Sequence, residues 1–323
     1  MCTAISLLSK DHYFGRNLDL EFSYQEAVTV TPRNFSFSFR SGKLLKSHYA
    51  LIGIATVSEE YPLYYEATNE MGLSMAGLNF PQNAYYPPAE QGKENVAPFE
   101  LIPLVLGSCA DVEEALAILG KVHLAAIPFS QDFTLSPLHW LLCDRERAIT
   151  LEPMADGLRI YENPVGVLTN EPPFDYHMYH LANYLNLTAQ EPKNRFAPKL
   201  AIQPYSRGMG AMGLPGDLSS ASRFVRAAFT KCNSVCPAEE AGSVGQFFHI
   251  LGSVAQQSGC AQVGDGYERT VYSSCCNTDK GIFYYTTYEN SQITGVHLYH
   301  EDLQGQQLVT YPLLRQQQFR MEN

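Results

Sequence analysis

Chemistry in this chain begins at its second residue. Loss of Met1 from Met1-Cys2-Thr3 would leave a thiol and a free α-amine on one residue. An amine of pKa near ~7.7–8 and a thiol near ~8.5 exchange a proton at little cost at neutral pH, so Cys2 could be nucleophile and base together. Position alone also allows a plain small residue on an edge strand. The run Phe14-Gly15-Arg16-Asn17-Leu18-Asp19 ends a second strand that a hairpin would return to Cys2. Arg16 beside the sulfur would favour thiolate, and Asp19 beside the amine would fix its orientation and protonation. Taken alone, the same two residues also read as a surface ion pair at a turn.

Three more positions invite the same double reading. Leu214-Pro215-Gly216-Asp217-Leu218-Ser219-Ser220 leads into a capped helix that carries Arg223 in or near its first turn. A cation there opposes the helix dipole by up to ~1 kcal/mol, so either an anion or thiolate compensates or an exposed arginine bears the cost. Asn79 and Asn170 each end an apolar strand, where amide groups can be aimed at a developing oxyanion or can simply make turns.

The elements that would hold these residues are short and mixed. Segments near 2–8, 12–18, 27–31, 49–55, 63–69 and 72–78 are β-branched or aromatic and separated by turn residues, which predicts hairpins. After 81–97 come two helical patterns, the second opened by Asp111 with Glu114. Strand patterns return at 139–144, 149–154, 158–162 and 166–169, helices at 175–187, 219–231 and 240–256, and strands at 269–276, 280–288 and 292–300. Strand blocks alternating with helix pairs point to antiparallel sheets covered by helices in one domain, 1–323. The connection 188–216, with four glycines in 208–216, is long enough to expect a function.

Composition removes several classes. Against Asp+Glu 33 the chain has only Lys+Arg 22, a net charge of −11, which disfavours nucleic acid and anionic membrane surfaces. The eight cysteines lack paired zinc spacing and disulfide-scaffold density, so they read as reduced thiols. Cys232 and Cys236 read as a helical i, i+4 pair, and Cys275-Cys276 as opposite faces of a strand. His177 and His180 read as a helix face, so no metal site is expected. The glycines of 208–216 lack the Lys-Ser/Thr ending of a phosphate loop, and no cofactor is expected. The N-terminus reaches Lys10 and Asp11 before any adequate apolar core, which argues against a signal peptide and for the cytoplasm.

Together these stretches resemble the choloylglycine hydrolases, the family of bile salt hydrolases and penicillin V acylases. The resemblance runs from Met1-Cys2-Thr3 to Tyr311-Pro312-Leu313-Leu314. It passes through Gly15-Arg16-Asn17-Leu18-Asp19, Asn69-Glu70-Met71-Gly72-Leu73, Ala76-Gly77-Leu78-Asn79-Phe80, Leu135-Ser136-Pro137-Leu138-His139-Trp140, Asn163 to Asn170, and Leu214 to Ser220. It implies an α+β, four-layer αββα N-terminal nucleophile hydrolase fold with two stacked antiparallel sheets, assembled as a homotetramer. Carried over by position, Cys2 resembles the nucleophile, Arg16 and Arg223 the cations that stabilise its sulfur, and Asp19 the carboxylate that holds the α-amine. Asn170, through its side chain, and Asn79, through its backbone N–H, resemble the oxyanion donors. The substrates implied are glycine- or taurine-conjugated bile salts, since Asn79 resembles bile salt hydrolases where penicillin V acylases often carry an aromatic. Leu18, the 58–66 loop, Phe129 and Leu135 are the expected walls for an apolar acyl group. Penicillin V acylase is the alternative within the family. A non-catalytic lipid-binding protein, or a thiol redox protein using Cys232 and Cys236, is the alternative outside it.

Overall fold

The structure is a computed structural model that describes residues 1–323. Along the chain, β1 (Cys2–Leu8), β2 (His12–Leu20), β3 (Ala27–Thr31), β4 (Leu51–Ser58), β5 (Tyr61–Asn69) and β6 (Ser74–Asn79) precede α1 (Leu101–Ser108) and α2 (Val112–Leu119). Then come β7 (Leu138–Cys143), β8 (Ala148–Met154), β9 (Gly157–Glu162), β10 (Val167–Leu168) and α3 (Phe174–His180). Helices α4 (Ser220–Asn233) and α5 (Glu240–Gly252) lead to β11 (Arg269–Asn277), β12 (Ile282–Thr287), β13 (Asn290–His297) and β14 (Val309–Pro312).

A six-stranded sheet runs β10-β1-β2-β11-β12-β13 and an eight-stranded sheet β9-β8-β7-β6-β5-β4-β3-β14. Every pairing in both is antiparallel, as hairpin connections require. Side-chain alternation decides the layers. Trp140 and Leu142 on β7 pack with Leu104, Val105 and Leu119 of α1 and α2, whereas Leu141 and Cys143 turn toward the other sheet. On the far side, Phe224 of α4 and Phe247, Ile250 and Leu251 of α5 join the core with β1, β2 and β11. The result is the αββα sandwich, with the thiol-bearing strand inside it.

Close approach of β2 to β11 depends on Gly15, where a Cβ would lie 2.0 Å from the Ser274 carbonyl oxygen. That contact keeps Arg16 and Asp19 in register with β11.

Several expectations change. The 58–66 loop is mostly strand: only Glu59 and Glu60 turn, both at positive φ, between β4 and β5. Helix 175–187 stops at His180 and continues as a 3₁₀ turn to Tyr184. Cys236 lies beyond α4, which ends at Asn233, because the residue before Pro237 is pushed out of helical geometry. It therefore shares no helix face with Cys232. Cys275 and Cys276 do take opposite faces, and both are buried because β11 is covered on both sides. The strand β14 was not anticipated. All eight thiols are free.

Candidate active site

The register of the first hairpin pairs Cys2 with Leu18 and Ala4 with Arg16. Cross-strand partners share a face, so Cys2, Arg16 and Leu18 point between the sheets, together with Tyr272, the β11 partner of Leu18. Thr3, Asn17 and Asp19 point to the other side, toward α4 and α5. Cys2 is 3 % exposed, which leaves its sulfur in a low-dielectric setting where nearby charges act strongly.

Asn170 is the hub. Its Oδ1 accepts the backbone N–H of Cys2 at 2.7 Å and Nη2 of Arg223 at 2.8 Å, and its Nδ2 donates to the Asn79 carbonyl at 2.7 Å. One amide hydrogen is thus committed and the second remains to be offered. The backbone around it is equally fixed: Ser220 Oγ accepts the Asn170 N–H at 2.8 Å, and His177 Nε2 donates to the Asn170 carbonyl at 3.0 Å. His139 Nε2 holds the preceding carbonyl, Thr169, at 2.9 Å, while its Nδ1 lies 3.2 Å from Glu152. Burial pushes His177 down to about 4, so its imidazole is neutral at pH 7 and donates through one nitrogen.

Arg223 sits in the first turn of α4, fully buried, and donates to the Leu218 carbonyl, the Cys2 carbonyl and Thr3 Oγ1 as well as Asn170. Those acceptors and the neighbouring Asp19 and Cys2 answer the adverse dipole; burial nonetheless lowers its pKa. Its hydrogen bonds clamp the first strand to Asn170 through the backbone. Arg16 crosses from one sheet to the other, its Nη1 donating to the Gly77 carbonyl at 2.6 Å and the Tyr65 carbonyl at 3.1 Å. Burial opposes its charge, but Cys2, Tyr272, Glu66 and Asp19 together hold its pKa above the ordinary value.

Asp19 Oδ1 accepts the Thr270 hydroxyl at 2.6 Å, and Oδ2 is buried without a partner. Burial raises the Asp19 pKa against the pull of Arg223, the N-terminal amine, the Thr270 bond and Arg16. The Met1 amine donates to the Asp19 carbonyl at 2.8 Å and pairs with Glu268; burial lowers its pKa.

The six expected site residues therefore fall into one cluster. Asn79 enters it by its carbonyl, with its side chain exposed. Of the expected walls, Leu18 lies beside Cys2. Phe129 packs instead with Tyr61, Phe99 and Phe133, and Leu135 is on an exposed segment before β7. Thr3, Glu66, Ser220, Thr270 and Tyr272 and the histidines 139 and 177 were not singled out for the site. Ser220 lies in the helix-start motif, Thr3 in Met1-Cys2-Thr3, His139 in the 135–140 motif and Glu66 within the 58–66 segment, while Thr270 and Tyr272 had no local signal.

Two sheets stacked between helices, the first strand opening on its own thiol, define the class of N-terminal nucleophile hydrolases. Within it this chain belongs to the choloylglycine hydrolase family of linear amide C–N hydrolases, whose model matches residues 2–311. The bile salt hydrolase/transferase of Lactiplantibacillus plantarum is 54 % identical over 320 residues, 99 % of each chain. A crystal structure of a variant of the conjugated bile acid hydrolase from Clostridium perfringens superposes with a TM-score of 0.92 at 34 % identity, covering 100 % of both chains. Penicillin V acylase from Agrobacterium tumefaciens shares the fold, with a TM-score of 0.74 at 18 % identity over 94 % of this chain and 88 % of that one.

Proposed function

We propose that the protein hydrolyses the amide bond of glycine- or taurine-conjugated bile acids, with Cys2 as nucleophile after Met1 is removed. The observation that carries this reading is the hydrogen bond from the Cys2 nitrogen to Asn170 Oδ1, within a cluster that also contains Arg16, Asp19 and Arg223. Removing Met1 turns that nitrogen into the α-amine beside its own thiol. Asp19 Oδ2, buried and unpartnered while Met1 is attached, then has a cationic donor to accept.

In this mechanism the thiol proton passes to the α-amine and the sulfur attacks the amide carbonyl. The free Asn170 N–H and the Asn79 backbone N–H stabilise the oxyanion. The α-amine protonates the departing glycine or taurine nitrogen as the C–N bond breaks, leaving a thioester. Water, deprotonated by the same amine, releases the bile acid and restores the thiol. An amine entering in place of water would make the same thioester a donor, the second activity in the name of the Lactiplantibacillus plantarum relative.

Arg16 and Arg223 are assigned to holding negative charge at and around Cys2, and Leu18, beside Cys2, to the acyl side of the pocket. The cytoplasm and a homotetramer complete the reading. No helix is long and apolar enough to cross a membrane, and exposed Leu185, Phe196 and Tyr205 offer apolar area that subunit contacts would cover.

Side-by-side kinetics test the substrate. Glycocholate or taurocholate should be turned over with kcat/KM at least about tenfold above phenoxymethylpenicillin, a difference of ~1.4 kcal/mol in transition-state binding. Equal or better turnover of the penicillin would move the assignment to penicillin V acylase.

A further inference from the structure

Between the sheets, next to Arg16, lies a pair of buried groups that this mechanism leaves unused. Glu66 of β5 and Tyr272 of β11 come from opposite sheets, both fully buried. The Tyr272 hydroxyl donates to Glu66 Oε2 at 2.5 Å, and the same oxygen is 3.8 Å from Arg16 Nε. Glu66 Oε1 has no partner, and neither has Arg16 Nη2. A carboxylate and a guanidinium held just beyond hydrogen-bonding distance, each with an open position, stabilise a dry sandwich poorly. Such an arrangement suits a site where the charge is needed elsewhere.

We propose that Glu66, held by Tyr272, is a positioning residue that sets how much of the Arg16 charge reaches Cys2. Ionised, Glu66 competes with the sulfur for the guanidinium. Protonated, it leaves the guanidinium to the sulfur. The register supports the geometry, because Cys2, Arg16 and Tyr272 all face the space between the sheets that Glu66 enters from the other side.

The groups acting on Glu66 are Arg16 of β2, Tyr272 and Ser274 of β11, and Glu26 from the segment before β3; Cys2 of β1 and Asp19 act on it through Arg16. Burial pushes the Glu66 carboxyl up to about 7 against Arg16, Tyr272 and Ser274, so it titrates near neutrality. Raising the pH through that range adds a negative charge beside Arg16. The hold of Arg16 on the Cys2 sulfur should therefore weaken as the pH rises through that range.

This inference rests on Cys2 being the nucleophile, but its readout needs no bile salt. Met1-free protein, checked by intact mass, is alkylated with iodoacetamide across pH 5–9, and modification of the N-terminal peptide is followed by mass spectrometry. Glu66→Gln should speed Cys2 alkylation up to about threefold above pH 7, where the wild-type carboxyl is ionised, and change it little at pH 6, where that carboxyl is already protonated. Tyr272→Phe removes a hydrogen bond that favours the charged carboxylate, so it should move the profile the same way by less. Glu66→Asp, which keeps the charge, should stay near the wild type. Profiles for Glu66→Gln and Tyr272→Phe that superimpose on the wild type overturn the proposal, and if Glu66→Gln does not fold, Tyr272→Phe decides alone. Shifted alkylation without bile salt hydrolysis keeps the role of Glu66 and removes the substrate reading. A wild-type Cys2 no more reactive than Cys232 or Cys260 overturns both.

Discussion

The two faces of the eight-stranded sheet are both apolar, and they differ in what is set into them. Its outer face, under α1 and α2, is an apolar layer in which Leu104, Val105, Leu106, Trp140, Leu142 and Ile149 are fully buried. Its inner face carries an apolar layer of its own, with Ile52, Ile54, Ala76, Leu78 and Leu141, and set into it where the six-stranded sheet meets it is a polar cluster of Arg16, Glu66 and Tyr272, near Cys2 and Asn170. Apolar burial is non-directional and tolerates small shifts, whereas each inner polar group depends on a particular partner at hydrogen-bond distance. Substitutions in the outer apolar layer should therefore act on stability and substitutions in the inner polar cluster on chemistry, and the two should separate.

The largest effect expected is on the inner side. Cys2→Ala should lower bile salt hydrolysis by several orders of magnitude, since a missing nucleophile removes the covalent route entirely. Alanine is close to cysteine in size, so thermal unfolding should shift by no more than about 2 °C. A Cys2→Ala protein that keeps a tenth of the activity would sink the mechanism. So would activity retained in protein whose Met1 cannot be removed.

Next in size is the mirror experiment. Leu104→Ala removes a fully packed side chain between α1 and the sheet. The lost transfer energy and the residual cavity should lower unfolding stability by about 2–5 kcal/mol in urea titration. At 25 °C, with the protein still folded, kcat should stay within about twofold of the wild type. A large loss of kcat with little loss of stability would show that the outer layer also sets the geometry of the site.

The same contrast explains what could be read in the sequence. The first hairpin is local, so Cys2, Arg16, Leu18 and Asp19 are read together from residues fewer than twenty positions apart, and the register pairs Cys2 with Leu18 and Ala4 with Arg16. Strands of the outer layer were legible because β-branched and aromatic runs bounded by turn residues carry their own signal. Glu66 was not legible. Its partner Tyr272 is 206 positions away, and both faces of β5 are buried, so alternation gives no hint of which face is chemical. His177 looked like one member of a helix face because only the tertiary structure supplies the Asn170 carbonyl it holds. The strand β14 escaped notice because an edge strand needs a single neighbour, here β3, and so tolerates Pro312. Cys236 was misplaced for a local reason that was available, the proline that follows it.

The smallest effect separates the two faces by pH. His177, beside Asn170, has its pKa lowered from the usual 6.5 to about 4, chiefly by burial. A base whose folded pKa is depressed contributes stability that is present above its unfolded value and lost as the pH falls through the folded one. Between pH 6.5 and about 4 the unfolded chain gains a proton here that the folded protein resists, a loss on the order of 1–3 kcal/mol. Glu66 works in the opposite direction over part of that window, because its raised pKa favours the folded state below about 4.5 and this contribution fades as the pH rises through about 7. His12, also lowered to about 4 by burial, adds to the acid loss. Comparing variants isolates one group from this sum. His177→Gln keeps an N–H that can donate to the Asn170 carbonyl but cannot titrate, so it should lose less stability than the wild type between pH 7 and pH 4.5 in urea unfolding. It should also keep most of its hydrolysis at pH 7, because the carbonyl it serves is still held. Equal acid losses in the two proteins would show that His177 is not held neutral by its burial, and would leave His12 as the acid-sensitive group of the inner side.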